Sequence, residues 1–293
     1  MSNTSTIFLN NLTCIDHAYI DAEGRIVGGS YHPNFLVTGS IDPVEQVVID
    51  FSSIKKQIKA IIDDKENGFD HKLWIYANSS NCKYTHYDGN TTIRSDALLL
   101  EMPTNAIKII ESDAETAIAQ QVERELNKLH PHNNIKVQCE LTHTNFARNP
   151  DSAIEFTYVH GLRSSTSWGC QNHSHGHRSW IDFGVDMGGD IEYQLLALTH
   201  ELNGAVLIYK DNIVLDDDDY IAIFYTTPRG NWYAEYNKKM IKTIIFDTET
   251  TVENILNWFV AKNKDLLDRC GVKRLDISEG LSKGATYIAQ QND

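Results

Sequence analysis

The stretch Cys170-Gln-Asn-His-Ser-His175-Gly-His177 sets two imidazoles at i and i+2, with a thiol five residues before the first. On a β-strand alternate side chains share a face, so His175 and His177 point the same way and can bind one ion. A third histidine, His160, ends the apolar run Ile154-Glu-Phe-Thr-Tyr-Val-His160, which reads as a neighbouring strand returning through the loop that carries Cys170. Three neutral imidazoles leave one position of tetrahedral zinc free, which is the arrangement of a catalytic site rather than a structural one. His173 shares parity with the pair and is assigned to the surface. The five cysteines, at positions 14, 82, 139, 170 and 270, make no CxxC pair, so they do not match a zinc finger and read as reduced thiols.

Composition bounds what such a site acts on. A chain of 293 residues is long enough for two compact domains. Its net charge of −14 argues against nucleic acid or an anionic membrane as partner and favours a small molecule. An anionic substrate needs a local basic patch against that field, for which Lys72, Arg163, Arg178 and Lys283 are the candidates. There is no N-terminal apolar stretch of signal-peptide length and no long uncharged run, so a soluble, cytoplasmic protein is expected. The run Asp216–Asp219 lacks the spacing of a calcium loop and reads as a solvated connection between strands.

An internal repeat supplies the elements that position the site. Phe69-Asp70-His71-Lys-Leu-Trp answers to Leu198-Thr199-His200-Glu-Leu-Asn203. Helical spacing from Glu115 and from Glu253 is followed in each half by a strand with a glutamate, Glu140 and Glu279, 25 and 26 residues further on. His17 and His32 in the first half answer to His160 and His177 in the second. The expected division is 1–147 and 152–293, across the polar segment that includes Pro150. Ser52 is the expected cap of a helix running to Ile62, and Glu192–Leu198 is its expected counterpart. Period-two strands with helices on one face predict an α+β fold with antiparallel sheets.

With these residues in view, the chain resembles, twice over, the 6-pyruvoyltetrahydropterin synthase and 6-carboxytetrahydropterin synthase family, whose domains have the tunnelling fold, or T-fold. The second half carries His160, Cys170, His175, His177, the segment Leu198–Asn203, Thr251-Val-Glu-Asn254 and Glu279. The first carries Val48-Ile-Asp-Phe51, Phe69-Asp70-His71-Lys-Leu and Glu140-Leu-Thr142. It departs from the pattern at Tyr31-His32-Pro33-Asn34, where the metal site and thiol are lost. The second half departs where Thr199 replaces the acid before His200.

The resemblance implies a zinc-dependent lyase or synthase acting on 7,8-dihydroneopterin triphosphate. Its zinc is held by His160, His175 and His177, and Cys170 is the base. A relay runs through Asp70 and His71, with His200 as the alternative, and Glu279 or, second, Glu140 anchors the pterin. It also implies oligomerisation of two or three chains into a barrel. A non-catalytic pterin-binding protein is the competing class.

Overall fold

Helix and strand follow the expected periods, and their order is the same in both halves except for one extra strand that opens the first and one that closes the second. The computed structural model describes residues 4–185 and 188–289. The first half runs β1 (Thr4–Leu9), β2 (Ile15–Ile20), β3 (Ile26–Ser40), α1 (Phe51–Ile62), β4 (Lys72–Tyr76), β5 (Lys83–Tyr87), β6 (Asn90–Arg94), β7 (Leu98–Pro103), β8 (Ile107–Ile110), α2 (Ala114–Leu129) and β9 (Lys136–Thr142). The second runs β10 (Ile154–His160), β11 (His175–Asp182), α3 (Gly189–Leu202), β12 (Ala205–Tyr209), β13 (Ile213–Asp216), β14 (Tyr220–Thr227), β15 (Gly230–Asn237), β16 (Thr243–Phe246), α4 (Val252–Arg269), β17 (Arg274–Glu279) and β18 (Lys283–Ile288). The segment between β9 and β10, including Pro150, holds neither helix nor strand.

Each half repeats one set of pairings. β2 pairs antiparallel with β3 and parallel with β4, β4 pairs parallel with β8, and β9 lies antiparallel on β3. In the second half β10 pairs with β11 and β12, β12 with β16, and β17 with β11, in the same senses. The expected purely antiparallel sheet is therefore corrected to a mixed one. α1 and α3 carry the chain from β3 to β4 and from β11 to β12 across the strand between them, so each returning strand lies beside and parallel to β2 or β10, not to the strand that fed the helix. α1 also starts earlier than expected: the Asp50 carboxylate accepts from the Ser53 amide at 2.9 Å, because an acid at this end satisfies a free N–H and favours the helix dipole.

Helical stripes close two of the three cores. Ile54, Ile58, Ile118 and Val122 pack with Phe35, Val37 and Trp74. Leu195, Leu202, Ile255 and Phe259 pack with Phe156, Leu207 and Leu275. The third core belongs to both halves, joining Ala18, Leu73 and Leu100 to Val159, Val206, Tyr225 and Trp232. It lies beneath a six-stranded sheet of order β13-β14-β15-β7-β6-β5, in which β15 pairs antiparallel with β7, from Tyr233 opposite Glu101 to Tyr236 opposite Leu98. The Asp216–Asp219 run is exposed, with Asp216 ending β13 and the other three residues forming the connection to β14.

The halves also meet where β3 crosses β10 and β11. A Cβ on Gly28 would lie 2.1 Å from the Tyr158 carbonyl oxygen, and one on Gly176 would lie 2.6 Å from Gly28 Cα. Only glycine permits so close a backbone contact. It brings the end of β2 and the loop before β4 over the histidines of β11.

Candidate active site

β10 and β11 pair with His160 opposite His175 and Tyr158 opposite His177. Alternation along β11 puts His175 and His177 on one face. All three imidazoles are buried, and their ligand atoms lie within 4.8 Å of one another. His160 Nδ1–H donates to the Thr250 carbonyl at 2.8 Å, and His175 Nδ1–H donates to the Asn172 carbonyl at 2.6 Å. A carbonyl can only accept, so each of these rings carries its proton on Nδ1 and keeps an Nε2 lone pair.

The lone pairs converge. His160 Nε2 and His177 Nε2 are 3.1 Å apart, and His175 Nε2 is buried with no hydrogen-bond partner. Nitrogens that share a tetrahedral zinc at ordinary bond lengths stand about 3.3 Å apart. Burial pushes the His160 pKa down to about 3 and holds that of His175 well below its usual value, so both stay neutral, as a ligand must be. These residues fit a zinc ion.

A carboxylate missed in the sequence completes the set. Asp16, on β2 of the first half, is buried with Oδ1 3.2 Å from His177 Nδ1 and accepts from Ser30 Oγ at 2.5 Å. Burial alone would raise its pKa, but the neighbouring His177 outweighs that and holds it well below the carboxylate range. His177 Nδ1 makes no aligned hydrogen bond, so the contact is one of charge, on the side of the ring away from Nε2. The signal in the sequence was its place beside His17, the repeat partner of His160.

Next to this cluster the two halves build a chain of polar contacts. The Asp70 carboxylate accepts from His71 Nδ1 at 2.6 Å and, through its other oxygen, from the Asp16 amide at 2.8 Å. His71 Nε2 faces Cys170 Sγ at 3.6 Å. His71 adopts φ of +54°, and a Cβ on Gly169 would lie 2.6 Å from its ring, so a glycine before the cysteine is what lets the two groups meet. Burial would lower the His71 pKa, but Asp70 raises it well above the ordinary value. Burial would raise that of Cys170, but His71 brings it below the ordinary value. This is the electrostatics of an imidazolium–thiolate pair.

Asn172 ties His71 to the three histidines. Its side-chain amide donates to the His71 carbonyl at 3.1 Å, while its own carbonyl holds His175. His71, Cys170 and His175 form a second group able to hold a metal. The two groups share His175, and in the second His71 and Cys170 already face each other.

Several chains of known structure each match about half of this one. A 6-pyruvoyltetrahydropterin synthase from Plasmodium vivax, carrying a substitution of a catalytic residue, is 19% identical and matches over 48% of this chain and 97% of its own, with a TM-score of 0.36. The enzyme from Plasmodium falciparum matches over the same shares at 19% identity with a TM-score of 0.35. An uncharacterised protein from Wolinella succinogenes is 14% identical over 47% of this chain and 96% of its own, with a TM-score of 0.33. No family model and no curated protein matches the chain.

The remaining expected residues divide. Glu279, at the end of β17, lies with Oε1 3.9 Å from His177 Nε2 and Oε2 3.4 Å from Lys283 Nζ. Burial would raise its pKa, but His177 and Lys283 keep it below the usual range. Glu140 is exposed on β9 opposite Asn34 and makes none of these contacts. His200 is exposed on α3, where its carbonyl accepts from Lys242. The proposed match of Asp70-His71 to Thr199-His200 fails because His71 immediately precedes β4, whereas His200 lies inside a helix that runs on to Leu202.

His173 is not on the surface: it is buried and donates from Nε2 to the Tyr233 carbonyl at 3.0 Å. Of the expected basic patch, Lys72 is buried with its ammonium on the carbonyls of Lys65, Glu66 and Asn105, and Arg178 pairs with Glu155. Among the described residues no helix is long and apolar enough to cross a membrane.

Proposed function

We propose that the chain is a zinc-dependent lyase of pterin metabolism, with two T-fold halves that build one active site between them. Its substrate in this reading is 7,8-dihydroneopterin triphosphate and its product 6-carboxytetrahydropterin, an intermediate for deazapurines such as queuosine. The observation that carries the reading is the meeting of Cys170 with the Asp70–His71 pair, beside three buried histidines whose free nitrogens converge.

His160, His175 and His177 would hold the zinc. When bound, that ion would supply Lewis acidity and a template for the hydroxyls of the substrate side chain. Cys170, held as thiolate by His71, removes a proton from the side chain beside the ring. That proton stays on the Cys170 sulfur, and protonated His71 donates from Nε2 where the side chain needs a proton returned, with Asp70 orienting the ring through Nδ1. Glu279 accepts from the amino group and ring N–H of the pterin, and a pterin analogue lacking those donors leaves it unpaired and is rejected. Formation of 6-pyruvoyltetrahydropterin by triphosphate elimination draws on the same groups and is the nearest alternative.

Mass spectrometry of the products from zinc-loaded protein and 7,8-dihydroneopterin triphosphate tests the proposal. A carboxytetrahydropterin with acetaldehyde supports it, and a pyruvoyl product selects the alternative. No turnover by folded, zinc-containing protein overturns the catalytic reading in favour of a binding role.

A further inference from the structure

Beside the turn that carries Cys170 lies a cavity of about 730 Å³ whose wall includes Lys65, Arg163, Ser164, Thr166 and Arg229. Three of these are cationic, and among the described residues no carboxylate lines the cavity. In a chain of net charge −14 such a local excess of positive charge runs against the whole-molecule field. Two acids stand behind its wall without lining it: the Glu66 carboxylate accepts from the Asn105 side chain, and Glu249 Oε1 accepts from the Ser164 amide.

Arg229 is built in rather than solvated. Its guanidinium lies 3.4 Å from the centre of the Trp168 ring, and Nη1 donates to the Trp168 carbonyl at 2.9 Å. Its Nε is buried and has no partner. Burial pushes its pKa down to about 10, which still leaves it charged at neutral pH. A buried N–H with no acceptor is costly to maintain, and a planar guanidinium fork matches phosphate oxygens. Lys65 and Arg163 are exposed, so they add charge at the entrance. Trp168 is two residues from Cys170, which places the cavity next to the relay.

We propose that this cavity binds a phosphate-bearing anion of several negative charges and, resting on the function proposed above, that the anion is the polyphosphate tail of the substrate. Arg229 grips one phosphate from the wall, Lys65 and Arg163 neutralise the rest, and the hydroxyls of Ser164 and Thr166 donate to the remaining oxygens. The tail then anchors the molecule while its other end reaches Cys170.

Calorimetric titration of the zinc-loaded protein with inorganic tripolyphosphate, with zinc content measured before and after, tests the site. Saturable binding that weakens with salt, and weakens at least tenfold in the Lys65→Ala/Arg163→Ala double variant, supports it. No binding, or equal binding by the double variant, overturns it. Competition separates the two sources of such an anion. If the tail belongs to the substrate, tripolyphosphate inhibits turnover competitively and the double variant raises KM for the triphosphate substrate but not for its dephosphorylated form. Binding without inhibition of turnover overturns the assignment to the tail and leaves a free anion as the occupant. Tripolyphosphate binding lost in the double variant, in a protein that turns over no pterin, supports the cavity while overturning the pterin reading.

Discussion

At Cys170 two forces oppose each other: burial raises the thiol pKa, His71 lowers it, and the second prevails. Replacing Cys170 with alanine therefore removes the base without touching the three histidines. Turnover is expected to fall by roughly 10²- to 10⁴-fold, the usual range for a lost acid–base group, with zinc content unchanged. His177→Ala is expected to lose the metal instead, and metal analysis of the two purified variants separates these outcomes. Asp16 has a different role, because it touches the ligand and not the substrate. Asp16→Asn should cost about 10- to 100-fold in zinc affinity, measured by competition with a chelator, and unchanged affinity would remove Asp16 from the metal site. The three histidines and Cys170 could be grouped from the sequence because they lie on two consecutive strands and the loop that joins them. Asp16 was not, since a carboxylate from the other half becomes a partner of His177 only when β2 and β3 lie across β11.

At the scale of elements, a turn of three residues decides whether the relay exists. Trp168, Gly169 and Cys170 pass so close to His71 that any side chain at 169 collides with its ring. Gly169→Ala should leave the fold intact yet displace His71 from Cys170; displacements of about 1 Å can cost on the order of 10²-fold in rate. Thermal unfolding alongside kinetics checks this, and a stable variant with full activity would refute it. Crossover helices, unlike this turn, announced themselves through apolar spacing, as Ile54, Ile58 and Ile62 show. Their consequence for the sheet was missed, since a parallel strand and an antiparallel one have the same period of two. The match of His71 to His200 misled for a related reason: similar letters fell on a loop in one half and inside a helix in the other.

For the whole molecule, the shared sheet and core make the halves one cooperative unit. Val159, Val206 and Trp232 bury against Ala18, Leu73 and Leu100, and each fully buried side chain of this kind contributes about 1.5–3 kcal/mol. Urea unfolding followed by fluorescence and by circular dichroism should give coincident single transitions, whereas two separated transitions would mean independent domains. Stability should also fall in acid. Burial depresses the His17 pKa from 6.5 to about 4, so the unfolded chain binds the proton more readily. Its contribution is fully present above pH 6.5, is lost as the pH falls towards 4, and amounts to roughly 3 kcal/mol. His17→Phe, which keeps a ring against Trp74, should flatten part of the change in urea midpoint between pH 7 and pH 5; an unaltered slope would show that other groups govern it. The glycine contact between β3 and β11 has one more consequence. In a symmetric assembly of identical subunits every substitution is repeated at each equivalent surface. Here the surface that receives Cys170 and the surface that presents it are encoded separately, so each can diverge without altering the other, and the half that carries Asp70 and His71 can change apart from the half that carries the three histidines.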